Sequence, residues 1–86
     1  MKTIHIIYHT DVWQSCNSYR TVGVASTLNK AIALAKKDKD AVSDVETEHG
    51  CIVINEVTLN LLDSEKQVFC TTEDNCRSKI TKKPRP

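Results

Sequence analysis

The sequence predicts a small α+β domain, in which a four-stranded antiparallel or mixed sheet carries one main helix on one face in the order β-β-α-β-β. A length of 86 residues suits a single domain. Four short stretches rich in β-branched, aromatic and other apolar residues are predicted as strands. The stretch at 21–37, TVGVASTLNKAIALAKK, is typical of a strand that leads directly into an amphipathic helix.

The first two strands are predicted at 3–9 and 19–25. In the first, Ile6 and Ile7 put apolar side chains on both faces, which favours a central position in the sheet. In the second, Val22 and Val24 share one face, and Gly23 between them indicates a bulge or a close neighbour.

A helix is predicted at 27–37, with Ser26 or Thr27 as the N-cap. Its apolar stripe follows the spacing i, i+3, i+4 and i+7 and consists of Leu28, Ala31, Ile32 and Ala35. The alanines combine high helix propensity with a small side chain, so we expect close packing on the sheet.

The second half of the chain contains the other two strands. Residues 38–50 are ambiguous, with a short helical turn capped by Asp40 inside an acidic, solvated connection. Residues 51–59, CIVINEVTL, form the most strongly predicted strand, and 66–71 form the last one. Because one helix cannot cover both faces of this sheet, the other face is solvated or covered by a partner, for which a second copy of the chain is a candidate.

The charge is divided unevenly along the chain. Residues 1–76 hold seven basic and eleven acidic residues, whereas 77–86 hold five basic residues and no acidic one. We therefore expect an α+β body at 1–76 and a basic, disordered tail at 77–86. A nucleic-acid-binding tail is the alternative, and its cations are Arg77, Lys79, Lys82, Lys83 and Arg85.

The cysteines Cys16, Cys51, Cys70 and Cys76 lack C-x-x-C spacing, so we expect neither a zinc site nor any other metal or cofactor. No stretch is long and apolar enough to span a membrane. The apolar run in the opening MKTIHIIYHTD is too short for a secretory signal. The expected location is the cytoplasm, with reduced thiols, although Cys70 and Cys76 are close enough in sequence to bridge if oxidised.

The residues best suited to touch a partner lie around the connection between the first two strands. They are His9, Asp11, Trp13, Tyr19 and Arg20. Aromatic and arginine side chains of this kind are enriched at binding hot spots. A histidine near a carboxylate also suits proton transfer, but no nucleophile with a base accompanies it. The alternative is that Trp13 closes the end of the core and His9 is a surface strand end.

Three segments together resemble a loose group of small uncharacterised phage and bacterial proteins. They are Tyr8-His9-Thr10-Asp11, the junction at 22–27 with the following Lys30-Ala31, and the strand at 52–59. That group has a strand ending in Tyr-His and a Gly-Val-x-Ser-Ser junction that leads into a Lys-Ala helix. This sequence has Thr27 where the group often has a second Ser. The resemblance implies a compact α+β domain encoded by a mobile element, and it transfers no activity.

These observations predict a non-enzymatic binding protein of phage or mobile-element origin, acting in the host cytoplasm. It would bind and inhibit a host protein, for example in anti-defence, or sequester a small ligand. The first alternative is a nucleic-acid-binding accessory protein that uses the basic tail. The second is a small nucleotide-cleaving enzyme that uses His5 or His9.

Overall fold

The computed structural model of this protein describes residues 2–11, 19–60 and 64–84. Its elements are β1 (Thr3–Asp11), β2 (Arg20–Ala25), α1 (Leu28–Lys37), α2 (Lys39–Thr47), β3 (Gly50–Thr58), β4 (Lys66–Cys70) and α3 (Asp74–Arg77). The predicted small α+β fold with a four-stranded sheet is confirmed. The predicted order β-β-α-β-β with one main helix is wrong, because two helices stand between β2 and β3.

The sheet has the order β2-β1-β3-β4, and each neighbouring pair is antiparallel. The central pair, β1 and β3, runs in register from Thr3 opposite Thr58 to Asp11 opposite Gly50. The register of β2 on β1 shifts between Ile7 and Tyr8, which leaves one extra residue on β2 as a bulge. Both β2 and β4 are edge strands.

Residues 38–50 differ from the prediction because Asp38, rather than Asp40, is the N-cap of a full helix. The Asp38 backbone N–H donates to the carbonyl of Ala35 at 3.1 Å and closes α1. Its carboxylate accepts from the Ala41 N–H, also at 3.1 Å, and opens α2. One residue therefore ends the first helix and begins the second. At the start of α1 the cap is Thr27, whose hydroxyl accepts from the Lys30 N–H at 3.2 Å.

The main core lies between the helices and one face of the sheet. Its buried members are Ile7, Ala31, Ala35, Ala41, Val45, Ile52, Ile54, Phe69 and Ile80. The helices contribute alanines at three of these positions, so their backbones approach the large sheet side chains closely. The described helices all contribute to this side of the sheet.

The opposite face of the sheet carries a smaller cluster. Cys51, Val53 and Cys70 are buried there, and Tyr8 packs against them. Further along the same face Ile4 and its neighbour on β3, Val57, are only partly buried. A homodimer through this face stays a prediction, which the sedimentation of the purified protein tests.

The described part of the predicted tail, 77–84, packs on the body instead of extending from it. Ile80 is 5% exposed and belongs to the main core. The Arg77 guanidinium donates from Nη1 to the Lys83 carbonyl at 2.6 Å. The Thr81 hydroxyl donates to the Glu46 carboxylate on α2 at 3.0 Å. The burial of Ile80 and these hydrogen bonds together hold the segment after α3 against the body.

Cys51, Cys70 and Cys76 are not in disulfides, so Cys70 and Cys76 are not bridged here. Cys16 lies outside the described residues. Within the described ranges, no helix has the length and the apolar character needed to cross a membrane.

Candidate functional site

A chain of polar contacts joins the sheet to both helices at the start of β2. His9 on β1 contacts Asp44 on α2, with 2.7 Å between Nε2 and Oδ2. The Arg20 Nη2 atom lies 2.8 Å from His9 Nδ1 and 2.9 Å from an oxygen of Asp38. The contacts therefore run Asp38–Arg20–His9–Asp44, between residues 11 to 35 positions apart in the sequence.

The arginine determines the state of the histidine ring. A guanidinium only donates, so Nδ1 of His9 must accept from Arg20. The ring proton then lies on Nε2, which donates to the Asp44 carboxylate. Both ring nitrogens are engaged in this neutral tautomer. Because general base catalysis needs a free lone pair on the ring, the arrangement suits a structural link between elements better than proton transfer.

Asp38 stands at the other end of this chain. The pKa of Asp38 is lowered, first by the hydrogen bond from the Ala41 backbone N–H and then by the hydrogen bond from Arg20. The contribution of this carboxylate to stability is therefore present above its ordinary pKa and is lost as the pH falls through the lowered one.

The structure brings together three of the five predicted binding residues. His9, Asp11 and Arg20 line one cleft of about 280 Å³. Asp11 is the last residue of β1, and not a loop residue as predicted. Tyr19 lies elsewhere, because its ring packs edge-to-face on Tyr8 at a centroid distance of 5.3 Å, and Tyr8 points to the opposite sheet face from His9. Trp13 lies outside the described residues.

The three histidines do not share one site. His9 and His49 line the same cleft, whereas His5 Nε2 lies 3.5 Å from a Glu56 oxygen. The His49 ring lies 3.1 Å from the Thr47 hydroxyl. Across 2–11, 19–60 and 64–84, no group of three histidine, cysteine or acidic residues has an arrangement that could hold a metal ion.

The pKa of Tyr8 reports on the sheet face opposite the helices. Burial, followed by the charge of Glu65 and a hydrogen bond to it, raises the pKa of the Tyr8 phenol above its ordinary value of 10.0. The neutral phenol is thus favoured in the folded state. Its contribution to stability is complete below about pH 10 and is lost as the pH rises through the raised pKa.

We expect the Glu65→Gln variant to lower the pKa of Tyr8, because it removes the charge and leaves the burial unchanged. Phenolate absorbance during an alkaline titration measures this pKa, and the Tyr19→Phe background assigns the transition to Tyr8. An unchanged transition in Glu65→Gln would show that the carboxylate does not act on the phenol.

A second surface feature is an apolar groove between the outer edge of β2 and α1. It measures about 350 Å³ and is lined by Val24, Ala25, Lys30, Ala33, Leu34 and Lys37. Val24 is 52% exposed and Leu34 is 37% exposed. Among the described residues, Leu59 is the third large hydrophobic side chain with comparable exposure. Leu34 contributes its side chain to the groove. Val24 lines the groove from β2, but its side chain points to the opposite sheet face, because its strand neighbours Gly23 and Ala25 face α1 and the main core.

Sequence reasoning missed the groove, although α1 carries a signal for it. Lys30, Ala33, Leu34 and Lys37 follow the spacing i, i+3, i+4 and i+7 and form a second stripe beside the core stripe. A leucine off the core stripe, next to an edge strand that exposes Val24, indicates an apolar surface. Asp38 and Asp44 were missed as partners of Arg20 and His9 because only the tertiary fold brings them near.

The basic residues near the C-terminus are partly engaged. The Arg77 side chain is buried, with Nε 3.7 Å from a Glu48 oxygen, and Lys83 Nζ lies 3.6 Å from a Glu46 oxygen. Lys79 and Lys82 are exposed, and Arg85 lies outside the described residues. Nucleic-acid binding through these residues stays a prediction.

Comparison of this chain with protein-family models, with curated proteins and with solved structures finds no match.

Proposed function

We propose that this protein is a non-enzymatic binding protein that docks a partner protein in the groove between β2 and α1 and thereby blocks it. The carrying observation is that Ala33 and Leu34 of α1 expose apolar side chains in a groove beside a free sheet edge. Contiguous exposed apolar surface on a small domain marks interaction sites. The resemblance to phage and bacterial proteins makes a host protein the proposed target and the host cytoplasm the proposed compartment.

The polar cluster supports binding over catalysis. His9 is held by Arg20 and Asp44 through both ring nitrogens, so the best candidate for acid–base chemistry is already occupied. The cluster fixes the start of β2 against α1 and α2, and this contact holds the two walls of the groove in place.

The Leu34→Arg substitution tests the proposal, because it puts a long charged side chain into the groove from an exposed helix position. The matched control is Leu59→Arg, which changes an exposed hydrophobic residue outside the groove. Immobilised wild-type protein and both variants are exposed to a bacterial lysate, after circular dichroism has confirmed that each is folded.

We expect the wild-type protein and Leu59→Arg to retain the same partner and Leu34→Arg to lose it. An arginine buried at an apolar interface without a partner charge is costly, so the substitution should abolish retention. Equal retention by all three proteins, or recovery of no partner by the wild-type protein, would contradict the proposed function.

A further inference from the structure

We propose that the occupant of the groove is an extended segment of an acidic partner, which pairs with β2 as a fifth strand. The segment itself carries two acidic residues with an apolar residue between them. This inference rests on the proposed function and specifies the chemistry of the partner.

The edge of β2 has the geometry for strand addition. β2 is the outermost strand, and Gly23, Val24 and Ala25 pair regularly with β1. In such a strand the N–H and C=O groups of alternate residues point away from the neighbouring strand. Groups on this outer edge are available to a strand that arrives from solvent, which is the basis of peptide recognition by β-augmentation.

The helix stripe beside this edge sets the side-chain pattern of the occupant. Lys30 and Lys37 are seven residues apart and so lie about 10 Å from each other along α1, with Ala33 and Leu34 between them. Side chains on one face of an extended segment recur about every 6.6 Å. Two carboxylates at positions i and i+4, about 13 Å apart, fall within reach of two flexible lysine side chains. Position i+2 then faces Leu34. The expected pattern is acidic-x-apolar-x-acidic.

The two lysines decide between an acidic partner and a second copy of the chain. Neither has an ion-pair partner in the described part of the chain, although the body of the protein is acidic. If two copies paired through β2, their α1 helices would lie side by side and bring lysine close to lysine. Like charges at an edge oppose such pairing and protect the strand from aggregation. An acidic segment instead gains from both lysines.

The probe is the acetylated, amidated peptide Asp-Thr-Val-Thr-Glu, compared with Lys-Thr-Val-Thr-Lys. Backbone NMR titration of the wild-type protein detects weak binding and locates it. We expect the acidic peptide to bind about tenfold more tightly at low salt, with shifts concentrated in β2 and α1, and this preference to shrink as the ionic strength rises.

Backbone methylation tests strand addition itself. Two versions of the acidic peptide carry N-methyl groups on its odd or its even residues. One set faces β2 and the other faces solvent, so one version should lose binding and the other should keep it. Equal effects of both versions would overturn the fifth-strand geometry.

Charge reversal tests the lysines. In the Lys30→Glu, Lys37→Glu double variant the preference should invert, so that the basic peptide binds more tightly. The matched control is Lys36→Glu, an exposed lysine of the last turn of α1 that does not line the groove, and it should keep the preference of the wild-type protein. Equal binding of both peptides, or binding of neither, overturns the inference. The proposed function fails on a separate result, the retention of a lysate partner by Leu34→Arg.

Discussion

The Ile80→Ala substitution is expected to lower the free energy of unfolding by about 2–5 kcal/mol, the range measured for truncating buried aliphatic side chains. Ile80 is 5% exposed and packs in the main core with residues of α2 and the sheet. For a domain of this size, such a loss is a large part of a total stability of about 5–15 kcal/mol. Urea denaturation followed by circular dichroism measures it.

The neighbouring Lys79→Ala variant is the control, because Lys79 is exposed in the same segment. We expect its free energy of unfolding to lie within about 0.5 kcal/mol of the wild-type value. If residues 77–86 were disordered, Ile80→Ala would leave the free energy of unfolding unchanged, because the side chain would already be in solvent. Equal denaturation midpoints for Ile80→Ala and the wild-type protein would therefore show that Ile80 belongs to a disordered tail.

The Gly50→Ala substitution is expected to destabilise the protein by about 1–3 kcal/mol, as overpacking of a tight site does. A Cβ atom at Gly50 would lie 2.7 Å from the Thr10 carbonyl oxygen and 3.1 Å from the Asp44 Cβ. The carbonyl belongs to the central strand pair and cannot move away without disturbing the ladder. The shift of Asp44 should also loosen its contact with His9.

The second glycine of the chain provides a matched control. A Cβ atom at Gly23 would meet the side chains of Ile7 and Leu34 at 3.9 Å, which is ordinary van der Waals contact. Gly23→Ala should therefore be neutral, or stabilising by up to about 1 kcal/mol through the smaller entropy of the unfolded chain. Thermal unfolding of both variants compares them, and a Gly50→Ala variant as stable as Gly23→Ala would contradict the close approach at residue 50.

The parts of the fold that were predictable from sequence are those with a local signal. The strands at β1 and β3 show it through alternating β-branched and apolar residues, and α1 shows it through an uninterrupted apolar stripe. The second helix was predicted only as a turn. Its core contacts come from Ala41, Val45 and the partly buried Val42, and its acidic residues resemble those of a solvated connection.

The candidate sites were predicted less completely because their geometry depends on contacts between distant residues. His9 and Arg20 were singled out by their place near one connection. Their partners Asp38 and Asp44 lie on a helix cap and a helix that the prediction did not contain. Ile80 was missed for a related reason, since one apolar residue among lysines and prolines gives no periodic pattern.

Asp38 shows how much one side chain can determine in a domain this small. Its carboxylate starts α2 and holds Arg20 of the edge strand, and its backbone closes α1. In a survey of all single substitutions, this position should therefore behave like an apolar core position despite its polar chemistry. Asn keeps the cap but loses the charge that attracts arginine, and Glu keeps the charge but moves it away from the Ala41 N–H. The position thus has almost no chemically conservative replacement. We expect it to tolerate fewer residue types than its side-chain exposure of 19% would suggest.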